Sequence, residues 1–156
     1  MVRYNNVVFS NYYLNNYIMR QLTPKEQLEL FDAFGLVYVI ETYIEQGFAF
    51  CDAAQIRFLD LPAPLTEDHV LLYLEQGHQL CEKAELKLFD LRSYEPILEY
   101  YCFAQGHTMY PKGQLRLLDL PEKDRGFIKR FIRVNRKTSN LSPEFVQKAQ
   151  TMGFIH

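Results

Sequence analysis

Apolar residues recur along the chain in short blocks, and each block closes on a Gly or an Asp. In the middle of the sequence His69, Val70, Leu72, Tyr73 and Leu74 precede Gln76-Gly77, and Ala84, Leu86, Leu88 and Phe89 precede Asp90. Spacings of three and four place these blocks on one face of a helix, and Gly just past the last apolar position is a helix stop. The second block opens on start signals elsewhere in the chain. Thr23-Pro24-Lys25-Glu26 offers an N-cap hydroxyl, Pro at the first helical position and Glu where a capping box needs it. Ser142-Pro143-Glu144 repeats that start, and Tyr110-Pro111 keeps the Pro. Strand-like alternation covers only Gln55 to Leu59 and Leu86 to Leu88, too little to outweigh caps at both ends. The elements predicted are helices in pairs.

The pairs repeat. Three segments align without gaps: Tyr43 to Leu61, Tyr73 to Leu91 and Cys102 to Leu120. Their Gln-Gly pairs stand at 46–47, 76–77 and 105–106, a period of 30 and then 29, and each Gly is followed by Asp thirteen residues on. Leu22 to Asp32 matches Leu80 to Asp90, and Leu141 to Gln150 keeps only the start of that block. Self-similarity at this period marks a stacked array whose end units are atypical. The expected units are residues 1–32, 33–62, 63–91, 92–121 and 122–156 of a single repeat domain. One hairpin of this size cannot bury its apolar face alone. The expected fold is therefore all-α, a short right-handed αα-superhelix of about five hairpins of about thirty residues.

That form resembles HEAT, armadillo and tetratricopeptide arrays. The tetratricopeptide Trp-Leu-Gly-Tyr signature and the Thr-Pro-Leu-His of ankyrin repeats are absent, and the period is shorter than is usual for HEAT units. Leu80 to Leu88, Leu-x-x-x-Ala-Glu-Leu-x-Leu, is similar to short α-hairpin repeats of uncharacterised bacterial proteins that read Leu-Ser-x-x-Ala-Glu-x-x-Leu. The resemblance implies a fold and a binding surface, and carries no catalytic residue.

Composition narrows the class. With 156 residues, 48% of them hydrophobic, the chain has material for a core, and no apolar run approaches the ~18 residues of a membrane span. Residues 1–20 are too rich in Asn and Tyr for a signal peptide. Three cysteines, Cys51, Cys81 and Cys102, form no CxxC pair and fit reduced thiols in a cytoplasmic protein.

Charge adds the main functional pointer. The net charge of −2 divides into −7 over residues 1–120 and +5 over residues 121–156. In Phe127 to Lys137 the apolar Phe127, Ile128, Phe131 and Ile132 share a helical face, with Lys129, Arg130, Arg133, Arg136 and Lys137 elsewhere around it. Such a stripe fits phosphate, an acidic protein surface or an anionic membrane, and equally a solvated cap. Gln46, Gln76 and Gln105 form a second candidate binding row, against a plain role at helix ends. The Asp32, Asp60, Asp90 and Asp119 row reads best as Asx turns or caps. His78 and Cys81 have half of a zinc spacing, but Phe48 and Tyr110 occupy the matching positions, so the His slot reads as packing. Neither P-loop, dinucleotide, hydrolase nor metalloprotease motifs occur. The expectation is a protein without catalytic residues, metal or cofactor that binds a protein or peptide across its concave surface. The eleven tyrosines suit an interface. Nucleic-acid binding through the basic last unit is the alternative, and a membrane partner is not expected.

Overall fold

The computed structural model describes residues 2–4, 7–9, 20–32, 37–62 and 65–156. The chain forms two compact units, Met1–Ala84 and Glu85–His156. From Arg20 onward every regular element among the described residues is helical.

In the first unit, strands β1 (Val2–Tyr4) and β2 (Val7–Phe9) pair antiparallel, with Val2 opposite Phe9. This departs from the expected all-helical first hairpin. Val, Tyr and Phe favour extended backbone, and the paired segments consist mostly of them. The rest of that hairpin's first half lies outside the described residues. Four helices follow: α1 (Pro24–Phe31), α2 (Val37–Glu45), α3 (Asp52–Leu59) and α4 (Leu65–Glu75). Helix α1 begins as the sequence predicts, with Thr23 and Glu26 capping one another's backbone N–H. Helices α2 and α4 end at Gly47 and Gly77, both at φ +86°, where a Cβ would be strained. Helix α1 packs on α3 and α2 on α4, so each helix meets its counterpart one repeat away. Between them lie Leu30, Ile44, Phe50, Phe58 and Leu74, all at most 3% exposed.

Helix α5 (Glu82–Lys87) runs on through a 3₁₀ turn, Leu88–Asp90. In the second unit come α6 (Tyr94–Glu99), a π turn (Tyr100–Ala104), α7 (Pro111–Leu117), α8 (Arg125–Arg136) and α9 (Pro143–Thr151). Helix α7 packs on α9, again one repeat apart. Ser142 caps α9 by accepting from the Phe145 N–H. Leu88 is fully buried, whereas Leu86, expected beside it in the core, is only half-buried. The position between Ala84 and Leu86 goes inward instead, and it is a glutamate.

That glutamate belongs to a column. Four residues after the N-cap of each second helix stand Gln27, Gln55, Glu85 and Gln114, none more than 5% exposed. Each side-chain oxygen accepts from the backbone N–H of the next N-cap residue: Gln27 from Cys51 (2.7 Å), Gln55 from Cys81 (2.8 Å), Glu85 from Tyr110 (2.9 Å) and Gln114 from Ser142 (2.8 Å). The amide nitrogens of Gln27, Gln55 and Gln114 donate back to Leu22, Phe50 and Met109. A carboxylate has no such donor, and Tyr101 instead donates its hydroxyl to Glu85 at 3.0 Å. Thus N–H groups that helix starts leave open are closed by side chains 24 to 28 residues earlier in the chain. At Thr23 that place is taken by Glu26 of the same helix, and at the fifth position of the column stands Val146.

Candidate binding face on helix α8

Helix α8 is fixed on one side by apolar packing. Ile128, Phe131 and Ile132 are buried, and Asn135 between them donates from its side chain to the Phe131 carbonyl at 2.9 Å. Asp124, just before the helix, is buried and accepts from the Tyr94 hydroxyl at 2.7 Å, which pushes the tyrosine's pKa up. Phe127 is half-buried, its ring 5.1 Å from that of Phe103.

The other side carries Lys129, Arg130, Arg133, Arg136 and Lys137, all exposed. Arg130 lies over the Phe103 ring at 4.1 Å and reaches Glu99 at 3.4 Å. For Lys129, Arg133, Arg136 and Lys137 no carboxylate lies within ion-pair distance among the described residues. Elsewhere cations are held. Arg57 pairs with Asp32, Lys148 with Asp119 and Lys123 with Glu95, while Arg125 covers the Phe154 ring at 4.4 Å. Positive charge in the last turn of a helix is favoured by its dipole, which accounts for Arg136 and Lys137. It does not account for Lys129 and Arg130, which lie in the middle of α8.

The glutamines divide. Gln46 and Gln76 are exposed at the ends of α2 and α4, with the Gln76 side chain passing over Gly47. Gln105 donates to the Tyr100 hydroxyl at 3.0 Å, and Tyr100 lines an open pocket of about 400 Å³ that Arg130 also lines. Gln105 touches Tyr100 without lining the pocket itself, and the remaining lining is Pro96, Glu99, Phe103 and Ala104.

The other singled-out residues are structural. Phe48 and His78 occupy equivalent slots, their rings tilted against Tyr43 and Tyr73 with centroids 5.0 and 4.9 Å apart, and His107 meets Tyr101 in the same way at 4.8 Å. Burial pushes the His78 pKa below its ordinary value, opposed by a hydrogen bond to the Gly47 backbone. Cys51 and Cys81 stand at helix starts, and burial pushes the Cys102 thiol up, with the Glu85 carboxylate adding to it. Among the described residues no three of His, Cys, Asp and Glu gather to hold a metal. Asp32 and Asp119 differ from the expected turns: each carboxylate takes a cation from the next repeat.

No protein-family model, curated protein or solved structure matches this chain. No described helix is long and apolar enough to cross a membrane.

Proposed function

We propose that the protein is a non-catalytic scaffold, a short right-handed superhelix of αα hairpins that binds a protein or peptide on its concave surface in the cytoplasm. One observation carries this reading. The buried polar residues Gln27, Gln55, Glu85 and Gln114 are consumed in bonds to backbone N–H groups, while Lys129, Arg133, Arg136 and Lys137 face solvent with no carboxylate in ion-pair distance among the described residues. Buried polar groups bonded within the array serve stacking, and an outward row of unpaired charge serves recognition. Free thiols at Cys51, Cys81 and Cys102 accord with a reducing compartment.

A second reading, nucleic-acid or other anion binding, draws on the same four unpaired cations. Salt separates the two, because phosphate-dominated binding falls steeply with ionic strength. The test is in-cell crosslinking with the full chain as bait, followed by reconstitution of the captured partner at low and physiological salt. A purified protein partner that binds at physiological salt supports the scaffold. Recovery of nucleic acid alone, lost on nuclease treatment, contradicts it.

A further inference from the structure

The gap-free repeat alignment conceals an inserted residue. Tyr43 and Tyr73 stand four residues before Gly47 and Gly77, whereas Tyr101 stands five before Gly106. The three tyrosines are equivalent: each is 0% exposed and each ring meets the residue after its Gly. Cys102, which the alignment sets opposite Tyr73, therefore belongs one position further on. The extra residue is absorbed by the π turn, where the Gln105 N–H donates to the Tyr100 carbonyl at 2.9 Å.

The insertion has an outward consequence. After Tyr43 and Tyr73 the chain places Ile44 and Leu74 in the core at 0% exposure, and Cys102 takes that place at 4%. Phe103 is left over and emerges half-buried, forming the wall of the Pro96, Tyr100, Phe103 and Ala104 pocket. From Arg130, which lines the pocket, Arg133 and Lys137 follow along the helix at spacings of three and four, a row roughly 10 Å long.

Building on the protein-binding reading, we infer that pocket and row together dock an acidic amphipathic helix of a partner protein. One apolar side chain enters against Phe103 and Tyr100, and carboxylates at matching helical spacing lie over Arg130, Arg133 and Lys137. The charges fit an anionic partner, and the lining decides its kind. Arg130 already covers a face of Phe103 at 4.1 Å, which removes the platform on which a nucleic-acid base would stack. Glu99 on the rim repels a phosphate or carboxylate at the pocket itself and admits an apolar group. A lipid surface would need a broad apolar face, yet Ile128, Phe131 and Ile132 are buried and Val134 is the large apolar residue of α8 left exposed.

The test is fluorescence anisotropy with the full chain and four probes. They are a synthetic amphipathic helix with Glu at positions i, i+3 and i+7 and one Leu beside them, the same peptide with Leu replaced by Ser, a single-stranded oligonucleotide, and phosphatidylserine vesicles. The Leu peptide is expected to bind about tenfold more tightly than the Ser peptide, the order expected for one buried apolar anchor. Phe103→Ala should erase that difference. Arg133→Glu with Lys137→Glu should weaken both peptides by about tenfold or more through lost charge complementarity. Comparing the two peptides on the unaltered protein keeps the test independent of how the variants fold. Equal binding of both peptides, tighter binding of oligonucleotide or vesicle, or no peptide binding at all would overturn the inference. A crosslinked protein partner indifferent to the Arg133→Glu, Lys137→Glu variant would overturn it too, while leaving the scaffold reading intact.

Discussion

Two helix ends do the same job differently. Helix α4 finishes with Tyr73, Leu74, Glu75 and Gln76 before Gly77, and both Tyr73 and Leu74 face the core. Helix α6 must fit one more residue between Tyr101 and Gly106, and it does so through a π turn that keeps Tyr101 buried and moves Phe103 out. The buried polar position varies in parallel. In the first unit it is Gln55 beside Ala54, and in the second it is Glu85, against which Gly113 packs. A Cβ on Gly113 would clash with the Glu85 Oε1, so Gly stands at the position that Ala54 and Ala84 hold elsewhere. The extra residue between Tyr101 and Gly106 leaves Phe103 on the wall of a pocket, and Glu85, which binds Tyr101, stands where the other three positions carry Gln.

The sharpest way to break this comparison is at Glu85. Replacing it with Ala removes the carboxylate to which the Tyr101 hydroxyl and the Tyr110 N–H donate, each lost bond costing about 1–3 kcal/mol. Urea unfolding should report a loss of about 3 kcal/mol or more in total. Leu88→Ala should cost a comparable ~2–5 kcal/mol, whereas Leu86→Ala, at a half-buried position, should cost less. Gly113→Ala should destabilise the parent by about 1–3 kcal/mol through overpacking. In the Glu85→Ala background the same change should be neutral or stabilising, because the clash is gone and Ala favours helix by about 0.5–1 kcal/mol. Additive effects of the two changes would contradict the paired exchange.

The His78 slot gives a smaller, pH-dependent effect. Burial lowers its pKa from 6.5, so the unfolded chain takes up the proton first. Its contribution is whole above the ordinary value and declines as pH falls through it toward the lower folded value. His78→Phe, which copies Phe48, should flatten the melting temperature over that window and leave it elsewhere little changed. The smallest effects belong to the surface. Thr23→Ala should cost about 1 kcal/mol by opening the capping box, and Arg133→Glu with Arg136→Glu should shift stability by under about 0.5 kcal/mol.

Much of this was legible in the chain, and the exceptions share a cause. Thr23, Pro24, Ser142 and the Gly stops act within a few residues, so their signals are local and the helices appear where they point. The buried column was visible as Gln27, Gln55 and Gln114, yet a polar residue on a helix reads as solvent-facing until its partner, a backbone N–H one repeat away, is known. Asp32 and Asp119 were singled out without Arg57 and Lys148, again one repeat on. The π turn escaped because Cys102 aligns well enough with Tyr73 to conceal the insertion. For α8 the stripe itself was readable, but that Arg130 meets Glu99 while Lys129, Arg133, Arg136 and Lys137 meet no carboxylate among the described residues, and that Gln105 bonds Tyr100, depends on packing.

Amide hydrogen exchange at the four N-cap positions tests the central claim most directly, since it reads the bonds that join one repeat to the next. In the parent protein Cys51, Cys81, Tyr110 and Ser142 should all be protected, although helix starts ordinarily exchange fast. In Gln55→Ala, Cys81 alone should lose protection by about fivefold or more, the loss of a net hydrogen bond of about 1 kcal/mol or above, while Cys51 keeps its own. Fast exchange at all four positions in the parent, or an unchanged Cys81 in the variant, would contradict the account.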